Sequence, residues 1–294
     1  MRVVVTGGSG LVGKYVAQHL YNCGHEVVVV DLVSPPRELP YAMCDVMDLQ
    51  QLREVFRGSD AVAHLAGIPH PLDQPPEVVF RTNAIGTFNV LQAASELGVK
   101  RVVLASSEST LGFAFMKRRM VPDYVPIDEN HPMRPQDPYG LSKVVAEEIC
   151  KAFAHRTGMA TIALRMPWVW VPEEAERARY RELILQYEKW YKNLWAYIHV
   201  YDAAEAFRLA LETGTVHEFE PFFVTADDNW TLLPSRKLLA MFFPEVKNVA
   251  TMWAQRLSSG GERASFISSQ KAKTMLGFAP TYSWRDLDLG IVHH

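Results

Sequence analysis

The sequence predicts an α/β fold, a doubly wound parallel sheet with a smaller C-terminal α/β lobe. Three observations predict it. Runs that are apolar throughout, such as Val3-Val4-Val5, Val27-Val28-Val29-Val30 and Val102-Val103-Leu104, alternate with helical stretches; strands without polar alternation are those buried on both faces. The first run leads directly into Gly7-x-x-Gly10-x-x-Gly13, a glycine loop that opens a helix. Further on, Tyr139 and Lys143 stand four residues apart in Pro138-Tyr139-Gly140-Leu141-Ser142-Lys143, hence on one helical face.

Taken in order, residues 2–6 read as a buried strand and 11–22 as the helix behind the glycine loop. A second strand, 26–30, ends at Asp31. A helix near 48–57, with Asp48 placed to cap it, leads to a third strand at 61–65. A long helix near 76–97 precedes a strand at 101–105. The irregular stretch 108–135 is long for a compact domain, and such loops are often functional. The Tyr139/Lys143 helix runs to about 157, and a strand covers 160–165. Beyond Arg165, residues 173–193 are helical, charged and rich in aromatics, and 198–206 reads as a strand entering a helix that returns to the core. Asp202 is expected to cap that helix and His199 to pack in the core. The expected division is a dinucleotide-binding domain over 1–167, rejoined by 198–214, and a substrate-binding lobe from 168–197 and 215–294.

A chain of 294 residues with 48% hydrophobic residues supports one large domain with an appended lobe. A net charge of −3 without a Lys/Arg-rich tract excludes a nucleic-acid partner. No apolar run reaches membrane-spanning length, and Met1-Arg2-Val3 enters the glycine loop with no cleavage region, so a soluble, cytoplasmic protein is expected. Cys23, Cys44 and Cys150 are scattered and lie among apolar residues. They predict buried reduced thiols, no disulfide and no metal. His293-His294 is assigned no function.

The chemistry follows from the loop and the helix. Glycines permit a tight turn and close backbone approach to a pyrophosphate, which the helix N-terminus attracts. Asp31 at the end of the next strand suits the adenosine ribose hydroxyls and repels a 2′-phosphate, which favours NAD over NADP; Lys14 pulls the other way. The Lys143 ammonium is expected to draw the Tyr139 phenol pKa down, making a base that takes a proton from an alcohol while the dinucleotide takes a hydride.

With these motifs the chain resembles the extended short-chain dehydrogenase/reductase superfamily, its NAD-dependent epimerase/dehydratase group with a Rossmann fold. Asp45-Val46, His64-Leu65-Ala66-Gly67, Asn83-x-x-Gly86-Thr87, Ser106-Ser107, Ile198-His199-Val200-x-Asp202 and Leu276-Gly277-Phe278-x-Pro280 match further landmarks, in order. The resemblance implies a catalytic trio of Ser107, Tyr139 and Lys143, with Ser106 the competitor for the serine role. It implies an NAD site from Gly7, Gly10, Leu11, Val12, Gly13, Asp31, Asp45, Val46, Leu65, Ala66, Gly67, Asn83, Tyr139, Lys143 and Pro167. Asn83 is expected to brace backbone. A homodimer through the helices 76–97 and 136–157 is also implied.

Departures from the group narrow the reading. Ser107-Glu108-Ser109 lacks the second acid of the dehydratases. Trp168 stands where nucleotide-sugar epimerases carry an asparagine that contacts the substrate diphosphate. The layout resembles uronate dehydrogenases, although those carry Asn-His in place of Glu108-Ser109. The first expectation is therefore an NAD-dependent oxidoreductase acting on a hydroxyl of a small sugar or sugar acid, with uronate, aldonate, lactol and polyol all open. Substrate-binding candidates are Ser107, Glu108, Trp168 and Trp170, with Glu108 alternatively an exposed loop acid. Tyr180, Tyr187, Trp190 and Tyr191 are spaced as the core face of one helix. A nucleotide-sugar 4-epimerase with recycled NAD is the alternative. An NAD-sensing regulator is third, because such proteins lose the Tyr or Lys that this chain has.

Overall fold

The computed structural model describes residues 1–36, 38–246 and 261–291. Its strands are β1 (Arg2–Thr6), β2 (Glu26–Asp31), β3 (Tyr41–Met43), β4 (Ala61–His64), β5 (Arg101–Ser107), β6 (Ala160–Met166), β7 (Trp168–Trp170), β8 (Tyr197–His199) and β9 (Phe219–Phe223). Its helices are α1 (Gly13–Asn22), α2 (Leu49–Val55), α3 (Pro76–Glu96), α4 (Pro138–Thr157), α5 (Glu174–Leu185), α6 (Val200–Glu212), α7 (Ser235–Phe242) and α8 (Gln270–Leu276).

One parallel sheet runs β3-β2-β1-β4-β5-β6-β9, and β7 and β8 form a separate pair. The strand order reverses between β1 and β4, which leaves a crevice at their C-terminal ends, the usual ligand position in such sheets. Alternate residues serve opposite faces. Val3, Val5, Val27, Val29, Ile162 and Leu164 pack with Val16 and Leu20 of α1 and Ala203 and Phe207 of α6. Val4, Val30, Val62, Val102 and Ala163 pack with Leu52 of α2, Val90 and Leu91 of α3, and Cys150 and Phe153 of α4. Each fully buried valine or leucine contributes at most about 1.5–3 kcal/mol, so the all-apolar strands are what a two-sided core requires.

Asp48 caps α2, accepting from the N–H groups of Gln50 and Gln51. Other details depart from the sequence expectations. β3 has only three residues and no apolar run to announce it. Residues 173–193 divide into α5 and a 3-10 turn, Tyr187–Asn193. β9 joins the large sheet beside β6, so 219–223 is not part of the lobe; Pro221 conceals it in the sequence, and its edge position tolerates a proline. α8 likewise packs on the first core through Ala272 and Leu276. His199, not Asp202, caps α6, accepting from the Tyr201 N–H, while the Asp202 carboxylate accepts from the Thr281 and Tyr282 backbone. Cys44 and Cys150 are buried free thiols, but Cys23 is exposed at the end of α1.

A separate aromatic core buries Trp170, Trp195, Trp230, Trp284, Tyr180 and Tyr197 together with Leu111, Phe113, Val125 and Ile127 of the 108–135 stretch. Among the described residues, no helix is long and apolar enough to cross a membrane.

Candidate active site

The glycine loop packs backbone on backbone. A Cβ on Gly7 would lie 2.5 Å from the Ala66 nitrogen, and one on Gly13 would lie 2.0 Å from the Gly7 carbonyl oxygen. At Gly10 a Cβ would meet nothing nearer than that oxygen at 3.2 Å, so this glycine leaves space. No side chain caps α1, whose N-cap is Val12, so the helix offers its first N–H groups and positive dipole end to an anion. Leu11 is exposed at the rim of the loop. The cradle fits a pyrophosphate.

Beside it, the Asp31 carboxylate accepts from the N–H groups of Ser9 at 3.0 Å and Leu32 at 2.7 Å, which fixes it at the loop's edge. Lys14 turns away: its Nζ donates to Glu173 Oε1 at 2.8 Å, and the Tyr15 hydroxyl donates to the same oxygen. Asp45 accepts from the Met47 N–H, and Val46 fills the space that a Cβ on Gly86 would need. Leu65, Ala66 and Gly67 follow β4 across the crevice, and the Leu65 N–H donates to the Thr6 carbonyl. Asn83 braces this segment. Its Oδ1 accepts from the Ile68 N–H, while its Nδ2 donates to the Ile68 carbonyl and to Ser142 Oγ in α4. Pro167 is buried directly after β6. The expected dinucleotide residues thus follow the C-terminal ends of β1, β2, β3, β4 and β6, with Asn83 on α3 and Tyr139 and Lys143 on α4.

The reactive groups meet at the end of β5. Asp137 caps α4 by accepting from the Gly140 N–H, and a Cβ on Gly140 would lie 2.5 Å from the Ser109 carbonyl oxygen. That close approach brings Tyr139 beside Ser107, which acts on the phenol, while the Ser107 hydroxyl donates to Ser109 Oγ at 3.2 Å. Lys143 lies one turn on, its Nζ 5.6 Å from the Tyr139 ring centre and donating to the Ala105 carbonyl at 2.8 Å. Ser106 faces away, donating to Glu147 Oε1 at 2.5 Å.

The electrostatics depart from expectation. Burial pushes Tyr139 up to about 12, against a smaller lowering by Ser107. Burial also lowers Lys143 to about 8, with Glu147 opposing it. The ammonium gives its hydrogen bond to a carbonyl, is itself desolvated, and is not among the groups that shift the phenol, so burial decides the direction.

Glu108 is no exposed loop acid: it is 6% accessible, and burial holds its carboxyl well above the usual carboxylate range. Trp168 is half-buried, 5.4 Å from Trp190, with the Arg179 guanidinium 4.9 Å from its ring. Trp170 does not line an opening. It is fully buried and stacked on Tyr180 at 4.2 Å, on the same side of β7 as Trp168 but deeper in the second core. Sequence reasoning missed Phe115, which meets the Tyr139 ring edge-to-face at 6.2 Å. The length of the 108–135 loop was its signal. It also missed the Glu147–Arg165 ion pair beneath the site, which only the strand register brings together.

The sequence pattern of the NAD dependent epimerase/dehydratase family matches residues 3–220. A UDP-glucose 4-epimerase of Streptomyces lividans is 34% identical over 174 residues, 55% of this chain and 50% of that protein. A uronate dehydrogenase of Pseudomonas putida is 32% identical over 170 residues, 56% of this chain and 60% of that protein. The chain thus aligns with only half to three-fifths of these relatives. A solved structure described as a UDP-galactose 4-epimerase superposes with a TM-score of 0.70 at 27% identity, covering 96% of this chain and 94% of that one.

Proposed function

Since the chain belongs to the NAD-dependent epimerase/dehydratase family, we propose that it is a dehydrogenase that oxidises one hydroxyl of a small sugar or sugar acid. The observation that carries this reading is Trp168, in contact with Trp190 and Arg179, at the position that holds the diphosphate-binding asparagine in nucleotide-sugar epimerases. An indole there leaves little room for a diphosphate.

NAD is the family's cofactor, and when bound it supplies the hydride acceptor. Gly7, Gly10, Gly13 and the start of α1 would hold its pyrophosphate, Asp31 its adenosine ribose, and Asp45 and Val46 its adenine. In this reading Ser107 holds the substrate oxygen, and Tyr139 takes the hydroxyl proton. Lys143, 5.6 Å from the ring, would favour the phenolate that results, and Phe115 would cover one edge of the ring.

A second reading, a 4-epimerase, is favoured by the similarity to UDP-glucose 4-epimerases. The two readings differ in product. A dehydrogenase forms net NADH from free sugars, whereas an epimerase converts nucleotide sugars without net NADH and retains its cofactor. Absorbance of NADH on panels of free sugars, sugar acids and nucleotide sugars, with Tyr139→Phe as control, decides between them. Turnover confined to nucleotide sugars would sink the dehydrogenase.

We further propose a cytoplasmic homodimer. Ile85 and Phe88 of α3 and Leu141 of α4 leave large apolar side chains exposed on neighbouring helices, a face suited to a second copy. Sedimentation of the protein and of Phe88→Glu tests this; a monomer at every concentration would refute it.

A further inference from the structure

The scheme above leaves one acid of the site unused. Glu108 directly follows Ser107, opening the 3-10 turn Glu108–Leu111, and its charge acts on the Tyr139 hydroxyl. It is 6% accessible, yet its carboxyl has no hydrogen-bond or ion-pair partner among the described residues.

Other deeply buried acids each have a donor, although Asp137 Oδ2 stays without one. Glu147 receives Ser106 and Arg165, Asp202 receives Thr281 and Tyr282, Asp137 receives Gly140, and Asp228 receives Tyr197 and Arg285. The Glu108 oxygens are not among the sealed atoms that lack a partner, so the carboxyl keeps the residue's small accessibility and is open to a partner from outside.

Resting on the dehydrogenase reading, we propose that Glu108 is the specificity residue. Its carboxyl bonds hydroxyls that flank the reacting one on an uncharged aldose or polyol, and it disfavours substrates that carry a carboxylate. As a carboxylate it accepts from both hydroxyls of a vicinal diol, and those donors favour its ionised form.

A substrate carboxylate at the same point would face a second carboxyl in a dry site with no cation released to neutralise it. The Arg165 guanidinium is bound to Glu147, and Lys143 donates to the Ala105 carbonyl. Arg179 lies over Trp168. This narrows the substrate class from sugars and sugar acids together to uncharged sugars.

The test compares kcat/KM for matched pairs, glucose with glucuronate and galactose with galacturonate, in the wild type and in Glu108→Gln. The wild type is expected to prefer each aldose. In the Gln variant the acid-to-aldose ratio should rise by about tenfold or more, the effect of removing one like-charge contact. Unchanged NAD affinity by fluorescence titration would locate the change in the sugar site. A wild-type preference for the acids, or an unchanged ratio in the variant, would overturn the proposal. Should only nucleotide sugars turn over, the dehydrogenase reading fails. The same ratio, measured on nucleotide hexose and nucleotide uronate, would still decide the role of Glu108.

Discussion

Arg165 of β6 and Glu147 of α4 form a two-point ion pair beneath the site, with Nε at 3.0 Å and Nη2 at 2.7 Å from the carboxylate oxygens. Their side chains are 3% and 1% accessible. Ser106 adds a third donor from β5, so one carboxylate ties two strands to the helix that carries Tyr139 and Lys143. Glu147 stands one turn beyond Lys143 and favours its charged form.

Removing one partner should therefore cost far more than removing both. Glu147→Ala would strand a buried guanidinium whose Nη1 already lacks a partner, and should destabilise the fold by about 3–5 kcal/mol in urea unfolding. A Glu147→Met, Arg165→Met double variant should lose less than the single one. Equal losses would show that the pair is not coupled.

The two serines at the end of β5 should separate cleanly. Ser107→Ala removes the group that acts on the Tyr139 phenol, and should lower kcat by about 10²–10⁴-fold with little change in stability. Ser106→Ala leaves Glu147 short of a donor and should cost about 1–2 kcal/mol of stability while most activity remains. The reverse pattern, read by steady-state kinetics and thermal melts, would exchange their roles.

What the sequence could and could not reveal divides along the range of the interactions. The glycine loop, Asp31 and the Tyr139/Lys143 spacing were legible because each is a local pattern with one geometric meaning. The face of Ser106 was not legible: adjacent serines at a strand end differ only in which side of the sheet they meet, and Glu147 decides that from 41 residues away. Trp170 misled for the same reason. Trp168 and Trp170 share one side of β7, and only the packing of α5 through Tyr180 buries the second of them completely. The direction of the Tyr139 shift needed burial, which a motif does not carry.

Acid sensitivity should trace in part to His64. Burial pushes it from 6.5 down to about 3, with a smaller push from Lys143, while Thr6 and Thr87 hold both ring nitrogens. The unfolded chain binds this proton near pH 6.5, and the folded chain only near 3. Between those values the unfolded state carries more protons, so stability falls as pH falls, by up to about 1.4 kcal/mol per pH unit. His64→Gln should flatten that slope. Identical losses between pH 7 and pH 4 in urea titrations of both proteins would exclude His64 as a source.

On the proposed reading, cofactor choice would rest on two carboxylates rather than one. Asp31 is pinned at the loop's edge, where it would oppose a 2′-phosphate, and Glu173 holds Lys14 away from the loop. Asp31→Ser should therefore improve NADP relative to NAD by about tenfold, the worth of one like-charge contact of about 1.4 kcal/mol. Glu173→Gln alone should shift the ratio less, because Asp31 still repels the phosphate. The two together should exceed the product of the single effects, since Lys14 is then free and the phosphate's place is no longer opposed. The ratio of kcat/KM for the two cofactors measures all three variants. A double variant no better than Asp31→Ser would mean that Lys14 cannot reach the phosphate, leaving Asp31 as the sole discriminator.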